Sequence, residues 1–183
     1  MASRLYEHVT EEELEKITKE IHSKKVLVAI YLAYHSGLRI SEILNLDPED
    51  IHLNIRQIFI RQGKGKKDRI TLLPKRFKQE WKSLFPLKNF ITKMGIQKSF
   101  KEASIRAKVN REIFSYETKS GKRKKYRLHF HSLRHSFAVN LLKKGVPLNA
   151  VKILMGHSYI STTEKYLHLS GEGALAMAIE KGL

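Results

Sequence analysis

The chain has 183 residues, no cysteine and a formal net charge of +17 at pH 7. That length suffices for one domain with an ordinary hydrophobic core, and the absence of cysteine excludes thiolate catalysis, zinc–thiolate sites and a disulfide framework. So large a positive charge exceeds what solubility requires and points to a polyanionic partner, nucleic acid ahead of an anionic membrane.

Thr10 and Glu13 form a capping box, and Leu14, Ile17 and Ile21 follow at helical spacing, which predicts a helix over about residues 10–22. A more apolar helix is expected from Lys24 to Ser36, stopped by Gly37. The apolar run Val26 to Gly37 is too short to span a bilayer, and no segment reads as a basic amphipathic helix, so a soluble, cytoplasmic protein without a membrane partner is expected. "LRISEILNLDPEDI" reads as a third, short helix broken at Pro48.

From Ile51 to Pro74 apolar and polar residues alternate around a Gly-Lys turn, the pattern of a small antiparallel sheet. Helical spacing returns over about residues 75–85 and 97–109, and Arg111 to Leu128 reads as a basic hairpin turning near Ser120-Gly121. Beyond it, a helix from His131 to Lys144 is followed by two short ones, "LNAVKILMG" and "STTEKYLHL", joined through His157 and Ser158. The tail "GALAMAIEKGL" is apolar enough to want a partner surface. The fold class expected is mainly α with a small antiparallel β-sheet.

Four short motifs occur in order: "GLRISE" with Arg39, "GKGKKDR" with Lys64, "HSLRH" with His131 and Arg134, and "GHSYISTTEKY" with His157 and Tyr166. Singly, each is weak: an Arg after a helix-end Gly is usually a surface residue, and a Lys in a hairpin turn is usually solvated. Together, in identity, order and approximate spacing, they resemble the tyrosine recombinase (phage integrase) family, most closely its Xer-like members, over about residues 8–168.

The resemblance implies the integrase catalytic-domain fold and an enzyme that breaks and rejoins double-stranded DNA through a covalent 3′-phosphotyrosine. Tyr166 would be the nucleophile, Arg39 and Arg134 would clamp the non-bridging phosphate oxygens, and His157 would add a donor to them. His131 would accept the tyrosine proton and Lys64 would protonate the leaving 5′-oxygen. A phosphotyrosyl link conserves bond energy, so no metal, nucleotide or other cofactor is implied.

Tyr159 is the rival nucleophile, but family spacing favours Tyr166; Lys66 and Lys67 are the rivals of Lys64. Lys66, Lys67, Arg69, Lys119, Lys122, Arg123, Lys124 and Lys125 are candidate DNA contacts, and Glu42, one turn after Arg39, is a candidate to orient it. His131 and His135 share helical spacing but lack the acidic partner of a zinc motif.

The domain reading is a catalytic domain over 1–170 and a tail helix over 171–183, either packed on its own core or, as the resemblance implies and as is favoured here, docked on a neighbouring protomer. The family's N-terminal core-binding domain is expected to be missing, the chain being a catalytic fragment in preference to a natural minimal form. The partner expected is duplex DNA, with a homo-tetramer on DNA and a monomer or weak dimer when free. Type IB topoisomerase-like relaxation and a non-catalytic DNA-binding module are the alternatives.

Overall fold

The computed structural model describes residues 8–61, 68–118 and 121–156. The expected helix starting at Thr10 is α1, Glu11–Lys19: Thr10 Oγ1 accepts from the Glu13 amide (3.2 Å) and Glu13 returns the bond to the Thr10 amide (3.0 Å). Helix α2, Lys24–Ser36, lies at the centre of the core, with Val28, Ala29, Ile30, Leu32 and Ala33 all fully buried. Its breadth of apolar surface is needed because it is covered on several sides, by α3 (Ile40–Asn45), α4 (Lys93–Arg106) and α5 (Phe130–Lys143).

The sheet runs β1 (Ile51–His52), β2 (Gln57–Ile60), β3 (Arg69–Leu72), antiparallel throughout, with Ile60 opposite Arg69 and Ile58 opposite Thr71. Alternation sends Ile58, Ile60 and Thr71 inward, and Thr71 Oγ1 donates to the Ser36 carbonyl at 2.8 Å. That bond fastens β3 to the end of α2. A second antiparallel pair, β4 (Glu112–Thr118) and β5 (Gly121–Tyr126), forms a hairpin whose residues are almost all exposed. Its base is held by Asn110, which donates to the Leu128 carbonyl (2.9 Å) and accepts from the Leu128 amide (2.8 Å).

A smaller apolar cluster joins α5 to α6 (Leu148–Met155) through Phe137, Leu142, Val151 and Met155. The architecture is thus mainly helical with small antiparallel sheets, as expected. Among the described residues, no helix is long and apolar enough to cross a membrane.

Two expectations need correction. Residues 75–85 do not form an α-helix; only a 3-10 turn over Gln79–Leu84 forms. Phe77, Trp81 and Phe85 still bury their rings four residues apart, but Pro86 drives Phe85 into an extended conformation (ψ 151) and Lys78 supplies no side-chain cap. Helix α4 begins at Lys93, four residues before its expected start at 97: Thr92 caps it by accepting from the Gly95 amide at 3.1 Å, where Gly95 had weakened the sequence signal. The expected helix "STTEKYLHL" and the apolar tail lie outside the described residues.

Candidate active site

The site grows from the stop of α2. Gly37 takes a left-handed conformation (φ 66), and a Cβ there would come within 2.3 Å of the Phe137 ring, so only glycine fits. The chain turns through Leu38 and presents Arg39 as the N-cap of α3. Glu42, at the third position of that helix, reaches back to accept from the Arg39 amide (2.7 Å) and from Arg39 Nη1 (2.8 Å).

Arg69 approaches the same carboxylate from β3. Its Nη1 and Nη2 donate to Glu42 Oε1 and Oε2 at 2.9 and 2.7 Å, a planar two-point fork. Arg134 comes from α5; its Nη1 lies 3.9 Å from Glu42 Oε2 and donates to the Gly37 carbonyl, while its Nη2 donates to the Met155 carbonyl.

The same guanidiniums close the end of α6. Leu154 O accepts from Arg69 Nε (3.1 Å), Met155 O from Arg134, and Gly156 O from Arg39 Nη2 (3.2 Å). These last-turn carbonyls have no helical N–H to pair with, and they form the negative end of the helix dipole. Three cations from three elements therefore meet one carboxylate and one helix end.

Burial pushes the Glu42 carboxyl up, but the hydrogen bonds and charge of Arg69, the Arg39 amide and the charge of Arg134 outweigh it and hold its pKa at about 2. Glu42 is thus ionised at neutral pH, and three guanidiniums against one carboxylate leave the cluster positively charged. Side-chain exposure is 20% for Arg39 against 7% for Arg69 and 2% for Arg134, so Arg39 is the member of the three that an anion in solvent reaches.

His131 lies one turn before Arg134 on α5, its ring packed edge-on to His135 at 4.7 Å and 6.4 Å from His129. Although the residue as a whole is exposed, loss of water around the ring, with the charges of Arg134, His129 and Arg39, pulls its pKa down to about 4. At neutral pH this imidazole is uncharged, with one ring nitrogen a hydrogen-bond acceptor. Among the described residues, no three His, Asp or Glu side chains converge as metal ligands.

Of the residues singled out by sequence, Arg39, Glu42, His131 and Arg134 are brought together. Lys64, Lys66, Lys67, Lys119, His157, Tyr159 and Tyr166 lie outside the described residues. Lys122, Arg123, Lys124 and Lys125 are exposed on β5, Lys124 ion-paired with Glu112 at 2.8 Å.

Arg69 is a correction. Expected among the DNA contacts, it is turned inward onto Glu42 and Leu154, because its position in β3 shares the inward face with Thr71. That period of two was visible in "RITLL" and was the signal for it. The carbonyls of residues 154–156 carried no signal, since every residue type has one.

A model of the phage integrase family matches residues 7–172. The chain is 34% identical over 172 residues to a tyrosine recombinase of Pseudothermotoga lettingae, covering 91% of this chain and 57% of that protein. It is 31% identical over 181 residues to tyrosine recombinase XerA of Pyrococcus furiosus, covering 94% and 60%. The chain therefore spans less than two thirds of the length of these relatives. Among solved structures, XerA recombinase superposes with a TM-score of 0.69 at 22% identity, covering 99% of this chain and 65% of that one. XerH site-specific recombinase bound to difH substrate superposes with a TM-score of 0.63 at 27% identity, covering 91% and 51%.

Proposed function

The chain belongs to the phage integrase family, and from that premise we propose that it is the catalytic domain of a site-specific tyrosine recombinase acting on duplex DNA. The observation that carries the reading is the cluster of Arg39, Arg69 and Arg134 around Glu42, positively charged in sum and fastened to the helix end that leads into His157. The XerH neighbour holds difH substrate, and the +17 charge of this chain suits the same kind of partner.

In the proposed reaction, the Tyr166 oxygen attacks a DNA phosphorus while its proton passes to neutral His131. A Tyr–O–P bond forms and the P–O5′ bond breaks, the departing oxygen taking a proton from Lys64. Arg39 meets the extra negative charge on the non-bridging oxygens from its exposed side, with Arg134 and His157 completing the donor set; losing one such donor typically costs about 100- to 1000-fold in rate. Attack by the 5′-hydroxyl of another strand reverses each transfer and rejoins DNA.

Residues 1–170 act as the catalytic domain, and the 171–183 tail docks on a neighbouring copy within a tetramer on DNA. The role is a cytoplasmic one.

The test is a nicked suicide duplex. The chain is expected to form a gel-stable protein–DNA adduct that Tyr166→Phe abolishes; an adduct retained by that variant assigns the nucleophile elsewhere, and no adduct on any substrate design rejects the enzyme.

A further inference from the structure

On the β4–β5 hairpin two large aromatic side chains stand in the open, Phe114 at 48% exposure and Tyr116 at 46%. They alternate along β4 and share a face with their cross-strand partners Lys125 and Arg123. Under this face lies a cleft of about 600 Å3, walled by the hairpin, by α4 and by the start of α5.

Positive charge sits on the aromatic walls themselves. Lys101 of α4 places its ammonium 4.4 Å from the centre of the Tyr126 ring, and Lys125 sits 5.2 Å from that of Phe114. Among the described residues, no Asp or Glu lines the cleft, and Gln97 contributes an amide with both donor and acceptor. The cleft also reaches His129, whose ring lies 6.4 Å from that of His131, so it opens beside the candidate active site.

Ring faces, ammonium groups and an amide edge match one chemistry together: an unpaired base with its flanking phosphates. A fully paired duplex satisfies the lysines but offers no base face to Tyr116. An acidic peptide likewise satisfies the lysines and leaves the rings without a planar partner.

We propose that this cleft is a stacking site for an unpaired nucleobase of the bound DNA, with Lys101 and Lys125 meeting the phosphates on either side. The proposal rests on the DNA-acting reading above. It adds a contact made only where the duplex is interrupted next to the reacting phosphate.

The test uses the 183-residue chain with a fully paired duplex and with the same duplex carrying 2-aminopurine as one unpaired base. Stacking is expected to quench the 2-aminopurine fluorescence, and the bulged duplex is expected to bind about tenfold more tightly. Phe114→Ala and Tyr116→Ala, both at exposed positions, are expected to abolish quench and preference while paired-duplex affinity stays unchanged; Tyr116→Trp retains both. Equal affinity for the two duplexes, or a quench that survives both alanine variants, overturns the proposal. Adduct formation at Tyr166 is read in parallel. Adduct without quench removes the base site alone; quench without adduct upholds the site and removes the strand-breaking reaction; no binding to either DNA removes both.

Discussion

At the scale of single residues, Glu42 holds the site. Four hydrogen bonds of 2.7–2.9 Å from Arg39 and Arg69 converge on one largely buried carboxylate. Removing one member of a buried ion cluster leaves the others uncompensated, so Glu42→Gln is expected to cost about 3 kcal/mol of stability at pH 7, measured by urea unfolding. The sign with pH follows from its low folded pKa. The charge contribution is fully present above the unfolded value of 4.5 and is lost as pH falls through about 2. The gap between wild type and Glu42→Gln should therefore narrow across that window; a gap that does not change with pH refutes the electrostatic assignment. Glu42 was legible in sequence as a partner of Arg39, one turn away. Its stronger fork to Arg69 was not, because the two residues are 27 positions apart and meet only once β3 packs against α2 and α6.

At the scale of elements, the end of α6 is the joint between the arginine cluster and the segment that begins at His157. Gly156 caps the helix at φ 62, and a Cβ there would lie 2.7 Å from Arg69 Cδ. Gly156→Ala combines left-handed strain of roughly 1–2 kcal/mol with a push on the guanidinium that holds Leu154 and Glu42. The expected outcome is a lower Tm and a rate of adduct formation that falls more than duplex affinity does. Equal loss of rate and affinity would mean that the helix end matters for folding and not for delivery. Most elements were readable because capping and periodicity are local. The failures at 75–85 and at the start of α4 have local causes of the opposite kind, Pro86 cutting short a helical pattern and Thr92 initiating one that Gly95 had obscured.

At the scale of the whole molecule, the +17 charge sets the salt dependence expected of the proposed binding to duplex DNA. Each phosphate neutralised releases counterions and steepens the dependence of log affinity on log salt by about 0.9. Lys122 and Arg123 are exposed on β5. Replacing both with Ala is expected to flatten the slope by about 2 and to weaken binding alike for all sequences; a slope left intact would place the backbone contacts elsewhere. The sequence by itself determined the family and the mainly helical class, since periodicity and short motifs are written in neighbouring residues. Only the tertiary structure decided which cations are buried and which face solvent. Arg134 meets Gly37 across 97 positions and Arg39 meets Gly156 across 117. A charge is affordable in the interior only where packing brings it a partner, and that pairing exists in no local stretch of the chain.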